Sequence, residues 1–431
     1  MREAYRNIII ITLRTLSRLV LWKYKPRIVC ITGSVGKTST KDAVYAVLSK
    51  FTYVRKSNKS YNSEIGLPLT ILGIPNGWND PSIWIKNFLK GIWLFIYPHR
   101  YPKWLVLEVG VGKPGDMKRT ASWLKSDVVM ITAIGDTPSH IEFFDSHKHL
   151  VEEKSLLIKT LKKEGLLILN YDDDIVLNMK SKTKSRLVTY GFKDGADIVG
   201  SGESILYSNK NEPAGSVFRV NKGEISIPVS IEGAFGRNHI YAGLAAMAFA
   251  FGLKLNMLGA SDALKNYDIP PGRMRILQGI NKSMIIDDTY NSSPAAAEGA
   301  LNTLGEVSVT GRKIAVMGDM LELGKHTEEA HKSVGKMVRE KADILVVVGP
   351  RAQSIKDGAL ENGMPKNNVF EFSNSFLAGE FLKDLVKEGD IVFIKGSQGM
   401  RMERATEAIL KDKKHKDALL VRQEPEWLKK Q

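Results

Sequence analysis

A chain with a single cysteine, Cys30, forms no internal disulfide and no cysteine-built zinc site, which fits a reducing compartment. Negative charge is also scarce. Against 62 Lys and Arg stand 47 Asp and Glu, a net charge of +15 and a pI near 9.5. Such a surface favours acidic partners: nucleotides, phosphorylated substrates, an anionic membrane face or nucleic acid. The basic residues are dispersed, without an arginine-rich tract or a nucleic-acid module, so nucleic acid is not expected as a partner. No apolar run is long enough to span a bilayer. The N-terminal "NIIIITLRTLSRLVLWKYKPR" is broken by Arg14 and Arg18, and no small-residue cleavage site follows it. As a helix, residues 1–26 would be apolar around most of the circumference, with both arginines on one side. Two readings fit: packing on the next domain, or peripheral contact with the cytoplasmic face of a membrane.

What is present is a folded α/β chain. The 431 residues are 43% hydrophobic and 25% charged, enough for two or three domains with real cores. "RIVCIT" (27–32) reads as a buried strand and "KTSTKDAVYAVLSK" as the helix after it. "WLVLEVG", "VVMITAI" and "GLLILN" are further strands alternating with helical stretches, the pattern of a parallel sheet with crossover helices. Between 196 and 232 three short segments with glycine and asparagine turns predict a small antiparallel insertion. "YAGLAAMAFAFGL" predicts a buried helix, and Pro270-Pro271-Gly272 marks a linker. Beyond it "SMIIDDTY", "KIAVMGD", "ADILVVVG" and "DIVFIKGS" predict a second, Rossmann-like α/β domain. The expected division is 1–26, 27–269 and 270–431, with the last twenty residues frayed.

Between the first strand and its helix lies "GSVGKTS", residues 33–39. The common phosphate loop is G-x-x-x-x-G-K-[ST]. Here Ile31 occupies the position of its first glycine, and the glycine falls at Gly33. Strand, glycine loop and helix still supply what a triphosphate needs. Gly33 and Gly36 let backbone N–H groups approach phosphate oxygens, and the helix N-terminus carries positive potential. Lys37 would neutralise phosphate charge, and the Thr38 hydroxyl would ligate Mg²⁺.

The shortened loop, with Ser34, Val35 and Ser39 completing it, resembles the ATP loop of the Mur ligase family. These enzymes form amide bonds at the expense of ATP. "NKSYNSEIGLPLTIL", "LEVGVGKPGDM", "SHIEFFDSHKHLVEEKSLL", "PPGRM", "IIDDTYNSSPAA", "VMGDMLELG" and "IKGSQGM" follow in family order, from about Arg27 to about Glu407. The resemblance implies an ATP-binding central domain and a Rossmann-like C-terminal domain, with ATP between them and closure about the 270–272 linker. It implies Glu108 as a Mg²⁺ ligand and His140 as a ligand of a second Mg²⁺. Lys154 would be the lysine carried as a metal-binding carbamate. Asn238 or His239 would read adenine, Arg273 would reach the ATP phosphates and Asp288 the ribose hydroxyls. Lys37, Glu108, His140 and Lys154 are thus the expected catalytic set. Lys395 and Ser397 would face the acceptor amine, and Asn291 and Ser292 share the turn of Asp288.

D-D-T-Y-N together with G-D-M-L-E-L-G resembles the branch of the family that adds D-alanyl-D-alanine to a UDP-muramoyl-tripeptide. The expected partners are an acidic muramyl-peptide substrate and that dipeptide, and a cytoplasmic monomer is expected. Two departures stand out. "GRNHIYAGLAA" reverses the family's His–Asn order and has Ala242 at the second asparagine. Only 26 residues precede the first strand, where that branch has a UDP-binding domain. A lipid-linked or otherwise different carboxylate, or an ATP-binding scaffold without turnover, are the competing expectations.

Overall fold

The computed structural model describes residues 2–58, 61–135 and 143–428. The chain divides into two compact units. One comprises Met1–Glu203, Phe218–Ser230 and Asn238–Asp268; the other comprises Ser204–Val217, Ile231–Arg237 and Ile269–Gln431. The main break after Asp268 lies next to the expected linker, and the N-terminal helix belongs to the first unit.

The strands in chain order are β1 (Arg27–Thr32), β2 (Val54–Lys56), β3 (Trp104–Glu108), β4 (Ser126–Ile131), β5 (Leu161–Asn170), β6 (Arg186–Gly191), β7 (Ile198–Tyr207), β8 (Pro213–Lys222) and β9 (Ile225–Glu232). They form one sheet in the order β2-β3-β1-β4-β5-β6-β7-β8-β9. Strand β1 pairs in parallel with β3 on one side and β4 on the other, with Ile31 opposite Glu108 and Thr32 opposite Ile131. Residues 28–31 are buried on both faces, as a central parallel strand requires. The strand order reverses at β1, so the loop that follows sits at a topological switch point, where open α/β sheets bind ligands. The segments of the expected antiparallel insertion continue this same sheet, and β7 joins β6 in parallel. Strands β2 and β6 lie outside the segments expected to be strands. Burial of the Cys30 thiol pushes its pKa up, and it is inert.

The helix Arg2–Tyr24 buries Ile9, Leu13, Leu16 and Val20 in the core of the first unit, so the packed reading holds for its inner face. The stretch 78–104 is rich in aromatic residues. Its helix Pro81–Ile96 buries only Trp84, Asn87 and Gly91 and leaves an apolar stripe outside. No helix among the described residues is long and apolar enough to cross a membrane.

The second unit carries β10 (Arg275–Gln278), β11 (Met284–Asp288), β12 (Lys313–Gly318), β13 (Ile344–Val348), β14 (Val369–Phe372) and β15 (Ile391–Lys395), in the order β10-β11-β15-β12-β13-β14. All pairs are parallel except β10–β11. The C-terminal segment, expected to be frayed, is anchored at Arg422. Arg422 is buried, pairs with the buried Glu403 at 2.8 Å, and donates to the Thr289 carbonyl at 3.1 Å. A buried carboxylate needs such a partner, and Arg401 supplies a second one at 2.5 Å.

Candidate active site

The loop after β1 is shaped by its neighbours. Gly33 has φ +150°, and a Cβ there would lie 2.0 Å from Thr132 Oγ1 and 3.0 Å from the Ala133 carbonyl, so no other residue fits. The Thr132 hydroxyl donates to the Val35 carbonyl at 2.6 Å. Ser34 N–H and Val35 N–H both donate to the Ala133 carbonyl, at 2.6 and 3.2 Å. Ser34 and Val35 were expected as part of the ATP loop, and here their N–H groups hold that loop in shape. The helix Lys37–Phe51 then starts at Gly36, φ +82°. Its first-turn N–H groups, with no acceptor within the helix, are the donors left for an anion. The Lys37 ammonium donates to the Ser34 carbonyl at 3.1 Å, folded back over the loop. Ser34 Oγ is shielded from solvent and has no hydrogen-bond partner among the described residues. An orphaned hydroxyl inside a glycine cradle fits a phosphate oxygen.

Beneath the loop, Glu108 ends β3 and is buried. Its Oε2 accepts from Thr38 Oγ1 at 3.0 Å and its Oε1 from Asn62 Nδ2 at 3.1 Å. Ser57 Oγ accepts the Glu108 backbone N–H at 3.3 Å. Asn62 also packs against Gly110, where a Cβ would meet its Cγ at 2.8 Å. Among the described residues no group of three or more His, Cys, Asp or Glu gathers around a metal position. A hydroxyl and one carboxylate in contact nevertheless suit Mg²⁺, which takes few protein ligands and completes its octahedron with water and phosphate oxygens.

Lys154 comes to the same place from the helix His147–Ser155. That helix is capped by Ser146 and held by Glu153, which accepts from Met117 N–H at 2.8 Å. Lys154 Nζ donates to the Gly33 carbonyl at 3.1 Å. Burial, with the Lys37 charge as a lesser cause, pulls its amine down to about 7. A lysine with a large neutral fraction at ordinary pH is a nucleophile, as carbamate formation requires. The candidate ligand His140 lies outside the described residues. The nearby His147 pairs with the Gly135 carbonyl at 2.8 Å and His149 with Asp145 at 3.1 Å.

The adenine candidates separate. Asn238 is exposed, whereas His239 is buried and its Nδ1 is hydrogen-bonded to Tyr267 Oη. His239 is therefore a satisfied core residue. Asn62, Thr132 and Ser57 were not assigned a role from the sequence. Asn62 lay within a quoted segment, but nothing in its spacing shows that it faces Glu108.

In the second unit the other motifs meet beyond the carboxyl ends of β11, β12 and β15. Asp288 accepts from Met274 N–H at 3.2 Å and from Lys395 Nζ at 2.5 Å. Lys395 also donates to the Asn291 carbonyl at 2.9 Å. Ser397 Oγ donates to the Ser292 carbonyl at 3.3 Å and accepts from Leu321 N–H at 2.8 Å. Asp288 and Lys395, expected in separate roles, are thus one buried ion pair. Arg273 stacks its guanidinium over Tyr290, 3.9 Å from the ring centroid. Asp287 is fully buried, bonded by Gly272 N–H at 2.9 Å and Thr289 Oγ1 at 2.7 Å, and burial lifts its carboxyl to about 6.

A glycine loop at the switch point of a parallel sheet, with Lys37, Thr38 and a buried strand-end carboxylate around it, defines a P-loop-type nucleotide-dependent enzyme. The comparisons narrow that class. The Mur ligase middle domain matches residues 31–84 and 93–250, and the Mur ligase glutamate ligase domain matches residues 272–398. The UDP-N-acetylmuramoyl-tripeptide–D-alanyl-D-alanine ligase of Bacillus subtilis (strain 168) is 28% identical over 400 residues, 92% of this chain and 79% of that protein. The enzyme of the same name from Escherichia coli (strain K12) is 25% identical, over 89% of this chain and 76% of that protein. The crystal structure of the MurF ligase from Thermotoga maritima in complex with ADP superposes with a TM-score of 0.73 at 25% identity, covering 93% of this chain and 83% of that one. A MurF from Acinetobacter baumannii, at 22% identity and a TM-score of 0.74, shares the fold. The chain belongs to the Mur ligase family, the ATP-dependent ligases that form amide bonds in cell-wall precursor synthesis.

Proposed function

We propose that this ligase couples the carboxylate of a muramyl-tripeptide-type substrate to the amine of D-alanyl-D-alanine. The observation that carries the reading is the Thr38–Glu108 contact of 3.0 Å under the Gly33–Gly36 cradle, with Lys154 against the same loop. The ADP complex of the Thermotoga relative supports ATP as the nucleotide. Mg²⁺ bound by Thr38 and Glu108, and a second ion bound by His140 and carbamylated Lys154, would screen the anionic oxygens brought together during coupling. Lys37 and the first-turn N–H groups hold the γ-phosphate as the carboxylate oxygen attacks it and the bond to the β-phosphate breaks, releasing ADP. The resulting acyl phosphate is then open to the amine, and phosphate leaves. The floor of buried Glu108 and Ser57 with half-buried Asn62 fixes the geometry before substrate arrives. Asn238 contacts the adenine, and Arg273 and the Asp288–Lys395 pair serve the nucleotide and acceptor ends.

The enzyme works in the cytoplasm, where ATP is available. A second reading, a lipid-linked carboxylate with peripheral membrane contact, is favoured by one observation: Ile8, Ile11 and Trp22 of the N-terminal helix face solvent. The test is phosphate release with ATP, Mg²⁺, D-alanyl-D-alanine and UDP-muramoyl-tripeptide. Release that needs both substrates supports the first reading. Release only with a lipid-linked carboxylate supports the second, and nucleotide binding without release under any condition contradicts both.

A further inference from the structure

The first unit carries an apolar face that its own core does not use. On the helix Arg2–Tyr24 the positions Ile8, Ile11, Leu19 and Trp22 form one outward stripe, Trp22 being 71% exposed. Beside it the helix Pro81–Ile96 turns Ile85, Leu89, Ile92, Trp93 and Ile96 outward, four of the five more than half exposed. The two helices are locked together. Gly91 leaves room for Leu16, whose Cδ1 would lie 2.9 Å from any Cβ there. At their C-terminal ends Lys23 Nζ donates to the Phe95 and Tyr97 carbonyls at 2.6 and 2.7 Å, and Tyr24 Oη donates to the Leu94 carbonyl at 2.9 Å. The outward stripes are therefore held rigidly side by side.

The charge along the two helices is mostly positive, with Glu3 near the start of the first and Asp80 capping the second as the acidic exceptions. Residues 5–25 contain Arg6, Arg14, Arg18, Lys23 and Lys25 and no Asp or Glu. Residues 81–103 contain Lys86, Lys90, Arg100 and Lys103 and again no Asp or Glu. Lys86 and Lys90 are exposed on the flank of the second stripe. Both stripes fall largely outside the family match, which begins at residue 31 and skips 85–92. Aliphatic stripes with tryptophan and tyrosine at their edge and a mainly cationic rim are the pattern of helices that lie in a lipid interface.

We infer that the paired helices Arg2–Tyr24 and Pro81–Ile96 form a docking face for the surface of an anionic phospholipid bilayer. The aliphatic side chains enter the headgroup–acyl boundary while Lys86, Lys90, Arg14 and Arg18 meet lipid phosphates. This deepens the membrane half of the second reading above. Its test involves no ligase activity, so the two stand or fall separately.

The test is flotation of the full chain, without ATP or substrates, with vesicles of phosphatidylcholine alone or mixed with phosphatidylglycerol. Binding to the anionic vesicles that weakens with salt, with a blue shift of tryptophan emission, is expected. The combined variant Ile85→Ser/Leu89→Ser/Ile96→Ser weakens binding about tenfold or more. Lys86→Glu/Lys90→Glu weakens it to a similar degree on anionic vesicles only, and carries the test if the first variant does not fold. Absence of binding to either vesicle, or unchanged binding of both variants, overturns the inference. So does vesicle-free self-association that the serine variant abolishes, since a second copy would then cover the face.

Discussion

Replacing Lys154 by methionine separates what this side chain costs the fold from what it gives the reaction. Lys154 is 2% exposed, and its amine is pulled from 10.5 to about 7 by burial and then by the Lys37 charge. A depression of about 3.5 units corresponds to about 5 kcal/mol against the charged form. The unfolded chain keeps the ordinary amine. The penalty is therefore absent above pH 10.5, grows as pH falls towards the folded value of about 7, and is constant below it. Methionine has similar length and no charge. It forfeits the bond to the Gly33 carbonyl, worth about 1 kcal/mol, and packs imperfectly for about another 1–2 kcal/mol. The metal-free, nucleotide-free variant should thus be more stable than the parent near pH 7 by about 2 kcal/mol. In calorimetry this reads as a rise of about 4–8 °C in the Tm of its unit. The advantage should vanish near pH 9 and reverse by pH 10, and turnover should fall at least about a hundredfold. A variant less stable than the parent near pH 7, or a gap that ignores pH, would mean that the amine sits charged and satisfied. Retained turnover would make Lys154 structural.

Three further outcomes follow from the geometry. Lys154→Ala, which opens space at the same point, should recover part of its lost turnover with formate or acetate; full activity without additive contradicts the metal-ligand role. Tyr267→Phe, which removes the partner of His239, should lower stability by about 1 kcal/mol and leave nucleotide affinity unchanged in calorimetric titration, whereas Asn238→Ala should weaken it. Arg422→Ala strands one side of the buried Glu403 and should cost about 3 kcal/mol by chemical denaturation; a loss under about 1 kcal/mol would show a C-terminal segment that is merely adjacent.

The parts of this protein legible in the sequence are those in which one residue type answers one local demand. Gly33 and Gly36 sit at positive φ, and a buried β-branched run makes β1, so the loop and its strand read directly. Glu108, Thr38 and Lys154 were recognised by motif, and the fold brings Thr38 to Glu108 and Lys154 to Gly33. What stayed hidden depends on distant chain. Ser34 and Val35 read as part of the ATP loop, and nothing in the motif shows that Ala133 captures their N–H groups. His239 looks like a base reader until Tyr267, 28 residues on, takes its ring. Asp288 and Lys395 lie 107 residues apart and become one ion pair only through the register of β11 against β15, where they are directly opposite. The stretch 81–96 is apolar enough for a core, and only packing shows which of its faces the core declines.

Calorimetric titration of the chain and of Lys37→Ala with a nonhydrolysable ATP analogue, with and without Mg²⁺, tests the nucleotide site most directly. Tight, Mg²⁺-dependent binding to the parent is expected, with affinity reduced at least about a hundredfold in the variant. Equal affinity for both, or binding indifferent to Mg²⁺, would contradict it.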